Sequence, residues 1–325
     1  MAGTVVIAAP PETTARKFVK RLQDGDKAAH LITLIFAASV FLMTVFLVCE
    51  LWIHSSSSRE KFGFAFLFSK TWDPIAEQFG ALPFIYGTVL TSFLALLISV
   101  PLAVGAAIFL SELAPPRLSS TCTFLVELLA AVPSVIYGLL AIFTLVPLMR
   151  QYIEPFLKKT LGFLPLFKGP AYGFGYLTAG LILAVMTFPF IISISRESLM
   201  AVPREQREAA LALGATKWES TWQVVVPFAR LGIIGSIFLA LARALGETMA
   251  VTMVIGNDPS IHASLIAPGY TIAAIIANEF NEATGSVHPA ALVELGLVLF
   301  LITIILNASA QLLIVATTKK GSTQD

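Results

Sequence analysis

The chain has 325 residues, of which 57% are hydrophobic and only 13% charged, and its mean hydropathy is +0.84. A soluble domain cannot keep so much apolar surface in water, so the composition excludes a soluble globular protein. The net charge of +1 points to no partner class. Two cysteines, Cys49 and Cys122, and four scattered histidines give neither a disulfide framework nor a metal-ligand spacing.

The first apolar block runs from Leu31 to Trp52 and follows a basic N-terminal segment. A basic start before an apolar run is also typical of a secretory signal peptide, which is the alternative interpretation here. The block is longer than a signal-peptide core, and no small-residue cleavage site follows it. It therefore predicts a retained first span, preceded by a cytoplasmic segment at residues 1–28.

Six apolar blocks are long enough to cross a hydrocarbon core of ~30 Å, which takes about 20 helical residues. They run approximately from Leu31 to Trp52, Phe84 to Leu110, Thr123 to Met149, Phe174 to Ile194, Leu231 to Ile255 and Leu292 to Val315. Pro101, Pro133 and Pro189 lie inside the second, third and fourth blocks, where each predicts a kink. Kinks leave room for a passage, although proline tolerated by neighbouring helices explains each one equally well. The sequence predicts an all-α membrane protein.

The distribution of Lys and Arg predicts the orientation of these spans. Thirteen of them fall in the N-terminal segment, the 111–121 and 195–230 loops and the C-terminus, against seven on the other side. By the positive-inside rule, both termini and the 195–230 loop are expected in the cytoplasm. The transmembrane domain then covers residues 29–318, with a cytoplasmic tail at 319–325.

The 195–230 loop carries signals for two short helices. Pro203 suits the first turn of a helix, and Gly214 suits its C-terminal end. A second short helix is expected to begin near Thr216. Between them, Ala209 and Ala210 are small enough to let another surface approach closely. The loop is expected to form a compact helical knob.

The same loop resembles the EAA loop of bacterial ABC-importer permeases. The positions that match are Glu208, Ala209, Ala210, Gly214 and Pro227, while Val224 and Val226 replace an aliphatic pair. The resemblance implies a coupling helix that docks on a separate cytoplasmic ATPase. The chain has no Gly-x-x-x-x-Gly-Lys-Ser/Thr sequence of its own, so ATP and Mg²⁺ are expected to be used by that partner. An ordinary amphipathic surface helix is the alternative interpretation.

Two charged residues, Arg243 and Glu247, lie deep in the fifth block. Each unpaired charge near the midplane costs about 2.5 to 3.5 kcal/mol, so both are expected to face protein or a hydrated path. Four residues apart, they share a helix face and can meet each other. They either neutralise each other and fix helix packing, or Arg243 offers donors to a passing oxyanion while Glu247 holds it in the empty path. The face continues through Ser236, Ala240, Ala250 and Val254, which permit close helix contact or leave a lumen.

Three stretches resemble the PstC-type permeases of phosphate ABC importers. They are Ser92 to Pro115, Glu127 to Gly138 and Ala242 to Ala250. The resemblance implies a type I ABC importer permease fold and a role for Arg243 and Glu247 in phosphate passage. Glu127 is a further intramembrane acid, which is predicted to line the path, with a hydrogen-bonded packing role as the alternative.

The resemblance also implies the partners. They are a second homologous permease, two ATPase subunits, an external phosphate-binding protein and membrane lipid, with no nucleic acid and no cofactor bound by this chain. Two other functions stay open at this point, namely an ABC permease for molybdate or sulfate and an ion-coupled secondary transporter. No nucleophile constellation or paired-carboxylate site indicates intrinsic enzyme chemistry.

Overall fold

The computed structural model describes the backbone of residues 14–321 and the side chains of residues 29–309, 311 and 312. All regular structure in the described range is helical, as predicted, apart from isolated bridges that pair Asp73 with Gln78 and Gly256 with Gly269. The predicted terminal segments, 1–28 and 319–325, lie outside the described side chains. The described part of the chain divides after Ile53 into two compact units.

Helix α1 (Thr14–His54) makes up the described part of the first unit. In the second unit the helices are α2 (Ser56–Phe62), α3 (Ala65–Phe68), α4 (Leu82–Ile108), α5 (Pro116–Ala131), α6 (Ser134–Leu140), α7 (Val146–Leu148), α8 (Glu154–Leu161), α9 (Tyr176–Met200), α10 (Arg204–Ala212), α11 (Lys217–Ser220), α12 (Val226–Leu245), α13 (Met249–Val254), α14 (Ile272–Glu279) and α15 (Val287–Gly321). Short π-helical turns lie at Phe109–Leu113, Ala141–Leu145, Met149–Ile153 and Thr221–Val225, and a 3₁₀ turn at Pro165–Phe167.

Six helical segments are long and apolar enough to cross a membrane, which confirms the predicted number within the described part of the chain. They are Ala29–His54, Leu82–Leu113, Ser134–Leu161, Tyr176–Met200, Lys217–Leu245 and Val287–Ser309. The second, fourth and sixth coincide closely with the predicted blocks. The third and fifth differ, because each predicted block contains a break in the helix.

The third predicted block is interrupted where a kink was expected. Helix α5 ends at Ala131, and Val132 and Pro133 adopt extended backbone angles (ψ 129° and 141°) before α6 begins. Proline has no N–H to continue the helical ladder, and its ring clashes with the preceding turn. The Tyr137 hydroxyl donates to the Leu129 carbonyl oxygen (2.7 Å) and so satisfies an acceptor at the broken end. Pro101 and Pro189, in contrast, lie inside helices that stay continuous.

The fifth predicted block, Leu231 to Ile255, is also not one helix. Helix α12 ends at Leu245, Gly246 takes φ −94° and ψ 0°, and α13 begins at Met249. Glycine is a poor helix former because it loses more backbone entropy than other residues, so a break there is inexpensive. The charged pair predicted on one helix face therefore straddles a break.

The two interrupted passes touch each other just beyond their breaks. A Cβ atom on Gly138 of α6 would lie 3.1 Å from the Cα of Ala250 and 2.5 Å from the Sδ of Met253 in α13. Only a residue without a side chain allows this approach. The contact brings the start of α6 and the start of α13 to the same region of the bundle.

Helix α9 is the centre of the packing, with α4, α5 and α12 around it. At Gly180 a Cβ would lie 2.8 Å from the Cβ of Leu94, so α9 and α4 are in close contact. The core between these helices buries residues such as Ala95, Leu183 and Tyr176 almost completely. This packing fixes the positions of α5 and α12, which carry the predicted path residues.

The end of the bundle opposite α10 is held by a polar contact inside an aromatic cluster. The Trp72 indole N–H donates to Glu279 Oε2 (2.9 Å), and His288 Nε2 lies 3.1 Å from the same oxygen. The Trp72 ring packs edge-on against Phe79 and Phe84. The contact ties the segment before α4 to α14 and α15.

Candidate substrate path and coupling hairpin

Arg243 lies in the last turn of α12, where the negative end of the helix dipole favours a cation. Its guanidinium carbon lies 4.2 Å from the centre of the Phe190 ring of α9, which is a cation–π contact. Its Nε is buried and has no acceptor among the described atoms. The half-buried guanidinium is therefore positioned by a ring and a helix end while its donors stay unused.

Glu247 lies in the break between α12 and α13. Its Oε1 accepts a hydrogen bond from the Ala250 backbone N–H (3.3 Å), within the first turn of α13. A carboxylate at the start of a helix is stabilised by the free N–H groups there. Glu247 thus caps its own helix.

The predicted contact between Arg243 and Glu247 is wrong, because neither an ion pair nor a hydrogen bond joins these two described side chains. The chain leaves helical geometry at Gly246, between them. Each charge is stabilised by the helix end on which it lies instead of by the other charge. Within the described chain, no carboxylate accepts a hydrogen bond from the N–H donors of Arg243.

The small residues on the predicted face of the fifth pass make helix contacts and do not border a lumen. These residues, Ser236, Ala240, Ala250 and Val254, are all fully buried. The Ser236 hydroxyl lies 2.8 Å from the Ser195 hydroxyl of α9. Of the two interpretations open from the sequence, close helix contact is the observed one.

Glu127 is exposed near the end of α5 and has no hydrogen bond or ion pair within the described residues. It lines a cavity of about 560 Å³ between α5 and the last turns of α9. Arg196 of α9 lines the same cavity. The alternative of a hydrogen-bonded packing role for Glu127 is therefore not observed.

The predicted pair of short helices is present in the 195–230 loop as α10 and α11, and we call residues 203–220 the coupling hairpin. Gly214 follows α10 with φ +89°, a left-handed conformation that favours glycine. Thr216 caps α11, because its hydroxyl accepts from the Glu219 N–H (3.3 Å) and its N–H donates to the Glu219 carboxylate (2.8 Å). Reciprocal capping of this kind fixes the second helix against the bend.

The outer surface of the coupling hairpin is unpartnered within the described chain. Glu208 and Ala209 are exposed, and Ala210 is half-buried. Leu213, next to the bend, is 91% exposed. An apolar side chain held out this far is typical of a surface that packs against another protein.

An ion pair on the inner side of the coupling hairpin ties it to the second span. The sequence did not predict this contact. Arg207 of α10 donates from Nη2 to Glu112 Oε1 (2.8 Å) and from Nε to Oε2 (3.2 Å). It also donates to the carbonyl oxygens of Leu199 (2.7 Å) and Val202. Glu112 lies in the turn that extends α4, so one guanidinium joins the hairpin, the end of α9 and the end of α4. The partners are 95 residues apart, and no local pattern signals the pair.

Six spans, two of them next to interrupted helical segments, and an exposed helical hairpin define a type I ABC importer permease fold. A chain of a bacterial ABC transporter involved in import of the polysaccharide alginate superposes with a TM-score of 0.57 at 16% identity, covering 90% of this chain and 98% of that one. A chain of the MetNI methionine ABC transporter gives a TM-score of 0.54 at 16% identity, covering 76% and 99%. At these identities the likeness shows the fold.

Residues 99–319 match the family described as binding-protein-dependent transport system inner membrane component. The phosphate transport system permease protein PstC of Mesorhizobium japonicum is 46% identical over 297 residues, covering 90% of this chain and 91% of the relative. The protein of the same name in Pasteurella multocida is 47% identical, covering 89% of this chain and 91% of the relative. The probable phosphate transport system permease protein PstC of Methanocaldococcus jannaschii is 37% identical, covering 89% of this chain and 93% of the relative. The chain belongs to this family of multi-pass inner-membrane transport components, among its PstC-type permeases.

Proposed function

We propose that this chain forms one half of the transmembrane path of an ATP-driven phosphate importer, and that Arg243 contacts the anion in transit. The substrate assignment is supported by the relatives, which carry the name phosphate transport system permease. The observation that carries the role of Arg243 is its guanidinium, which stacks on Phe190 and has no acidic partner within the described chain.

An arginine in this position suits a tetrahedral oxyanion. Its planar guanidinium presents parallel N–H donors that match two oxygens of one anion, and it stays charged at every physiological pH. Partial burial strengthens the attraction because less water screens it. Phe190 and the end of α12 hold the group without using its donors. The binding well must stay shallow, because an anion that binds too tightly does not leave.

Glu247 acts indirectly in this proposal. By accepting the Ala250 N–H it fixes the start of α13 and therefore the geometry of the break beside Arg243. Its negative charge near the path also limits how long an anion stays, since like charges repel. Glu127, on α5, is the third residue that we place beside the path.

The coupling hairpin is the site at which a separate ATPase would act. Exposed Glu208, Ala209 and Leu213 form its docking surface, with Ala210 behind them and Gly214 setting the bend. Arg207 would carry movement of the hairpin to α4 through Glu112. In the assembled importer we expect two ATPase subunits that use ATP and Mg²⁺, a second homologous permease, and an external phosphate-binding protein. The hairpin and both termini would then face the cytoplasm.

The test is phosphate uptake into proteoliposomes that contain the complete importer with Arg243→Gln. Loss of a charged hydrogen-bond donor to the anion should lower uptake roughly tenfold to a hundredfold. Assembly, followed by copurification of the ATPase, should be unchanged. Arg117→Gln is the matched control, because it removes an exposed positive charge from α5 outside the path. Near-normal uptake by the Arg243 variant would end the proposal.

Competition separates phosphate from other oxyanions. Unlabelled phosphate should suppress uptake of radiolabelled phosphate, whereas sulfate and molybdate should do so weakly. Stronger competition by either of those anions would reassign the substrate. Uptake that persists after removal of the ATPase would instead indicate an ion-coupled transporter.

A further inference from the structure

The cavity beside Glu127 lies on the coupling-hairpin side of Arg243. Its walls come from the end of α4, from α5 and from the last turns of α9; the lining residues are Leu110, Ser111, Ala114, Pro116, Ser119, Ser120, Thr123, Phe124, Glu127, Arg196 and Met200. The cavity is open to one side, and its volume of about 560 Å³ is enough for a small oxyanion with its first waters. Polar and apolar groups share the lining.

Arg196 brings unused donors to this cavity. Its Nε is buried and has no acceptor among the described atoms, and its Nη2 makes one long contact to the Ser119 hydroxyl (3.4 Å). That hydroxyl uses its own proton on the Leu110 carbonyl oxygen (2.7 Å). Ser120, the next residue, is exposed. The guanidinium thus has donor capacity that the described chain does not satisfy, which is costly unless a ligand or water supplies acceptors.

Glu127 lies in the lining of the same cavity but does not neutralise Arg196, since no ion pair joins these two described side chains. A guanidinium attracts ionised oxygens, and a carboxylate repels them but accepts a hydrogen bond from an oxygen that carries a proton. Phosphate keeps at least one proton near neutral pH, whereas sulfate and molybdate do not. The pairing of an unsatisfied donor with an unpaired carboxylate therefore favours a protonated oxyanion.

The position of the cavity fits a second step of the same path. Arg196 follows Phe190, the ring beneath Arg243, by six residues of one continuous helix, or about 9 Å along its axis. The cavity wall at Ser111 is adjacent in sequence to Glu112, which binds the coupling hairpin. Six residues also turn about 120° around α9, so Arg196 faces α5, and an anion leaving Arg243 toward the hairpin would reach it by moving toward α5.

We propose that Arg196 forms a second phosphate-binding step on the hairpin side of the path, in the cavity that Ser120 also lines, and that Glu127 makes this step select for a protonated oxyanion. This inference rests on the proposed function. It adds Arg196 to the path as the residue that binds the anion after Arg243, and it gives Glu127 the task of discriminating against sulfate.

Uptake by the complete importer in proteoliposomes is the first test. Arg196→Gln should lower phosphate uptake roughly tenfold, and Arg196→Lys, which keeps the charge, should lie between that variant and the wild type. Arg117→Gln should stay within about threefold of the wild type, because an exposed charge contributes little. Glu127→Gln should make sulfate a several-fold stronger competitor. Equal uptake by the Arg196→Gln and Arg117→Gln variants would overturn the binding step.

Chemical protection gives a readout that does not depend on transport. In a background with Cys49→Ser and Cys122→Ser, the Ser120→Cys thiol is modified by an anionic methanethiosulfonate reagent in proteoliposomes without nucleotide. Inorganic phosphate should slow the modification, sulfate should slow it less, and added Arg196→Gln should abolish the protection. Equal protection by sulfate would overturn the role of Glu127.

The same experiment separates the two sources of phosphate chemistry. If free phosphate does not change the rate of Ser120→Cys modification, but replacing anionic lipid by zwitterionic lipid does, the cavity binds a lipid headgroup and the transport step is overturned. A rate that responds to neither overturns the site altogether. If the proposed function itself is wrong, wild-type proteoliposomes will not accumulate phosphate, whatever the result at Ser120→Cys.

Discussion

Arg207 and Arg243 show two opposite uses of one side chain in the same membrane protein. Arg207 is surrounded by acceptors, with both carboxylate oxygens of Glu112 and two backbone carbonyls in contact. Arg243 contacts an aromatic ring and has a buried N–H without an acceptor. A saturated guanidinium holds segments together, whereas an unsaturated one is free to bind a ligand. The environment of each arginine, more than its depth, indicates its role.

The largest effect is expected from Glu112→Ala, which removes the carboxylate that accepts two hydrogen bonds from Arg207. Arg207 and Glu112 are 21% and 11% exposed, so removing the carboxylate leaves a mostly buried charge without its charged acceptor, at a cost of about 1.5–3 kcal/mol. Thermal unfolding of the complex should shift downward, and phosphate imported per ATP hydrolysed should fall. Arg204→Gln, on an exposed position of α10, is the control. If the Glu112 variant kept the wild-type ratio of phosphate imported to ATP hydrolysed and the wild-type unfolding temperature, the contact between Arg207 and Glu112 would carry no movement.

The next effect is expected from Arg243→Lys, which keeps the charge of the unsaturated arginine but removes its planar donors. Uptake should fall about tenfold, since an ammonium cannot bind two oxygens in parallel or stack on Phe190 as well. Thermal stability should barely change, because no contact to an acceptor is lost. A large stability loss with normal uptake would reverse the comparison and make Arg243 the structural residue.

A smaller effect is expected from Gly138→Ala, which crowds the contact between α6 and α13 without changing a charge. The new methyl group would lie 2.5 Å from the Met253 Sδ and 3.1 Å from the Ala250 Cα, so the Met253 side chain must move and α6 and α13 must separate by a few tenths of an ångström. We expect a loss of about 1 kcal/mol in stability and a reduced uptake rate. Gly105→Ala, where the added Cβ meets nothing within 4 Å, is the matched control. Equal stability and equal uptake in the two variants would show that the close contact between α6 and α13 is not needed.

The smallest effect is expected from Thr216→Ala, which removes the cap of α11 at the hairpin. Loss of such a cap costs about 0.5–1 kcal/mol, confined here to an exposed four-residue helix. Global unfolding should hardly move, while amide hydrogen exchange in residues 216–220 should become faster. Ser220→Ala, within the same helix but outside the cap, serves for comparison. Unchanged exchange would mean that the hairpin is held by Arg207 alone.

The sequence predicts the parts of this fold that depend on local signals. Six long apolar blocks give the six spans, and Pro203 with Gly214 gives the coupling hairpin. Pro133 predicts a kink where the helix in fact breaks after Ala131, and nothing predicts the break after Leu245, because hydropathy averaged over a span is insensitive to two or three non-helical residues. The expected pair of Arg243 with Glu247 failed for that reason. Assignment of the hairpin and termini to the cytoplasm stays a prediction from charge distribution.

Contacts between distant segments were beyond sequence reasoning. Nothing near Arg207 points to its ion pair with Glu112, and nothing near Glu127 points to the cavity that it shares with Arg196, since both arrangements depend on the packing of α9 against α4 and α5. Glu127 could be singled out as an acid in an apolar stretch, but its neighbours could not. Deriving such sites requires the packing itself.

The contact of α6 with α13 places the two breaks where the protein can articulate. The regular helical hydrogen-bond ladder already ends at Val132 and Gly246, so turning one half of either pass against the other breaks few backbone hydrogen bonds. In the importer proposed above, the segments on the hairpin side would turn at these breaks when the ATPase moves the hairpin, while the other halves of both passes stay in place. Opening at one mouth and closure at the other would then be a rotation about two joints, with the helices themselves left intact.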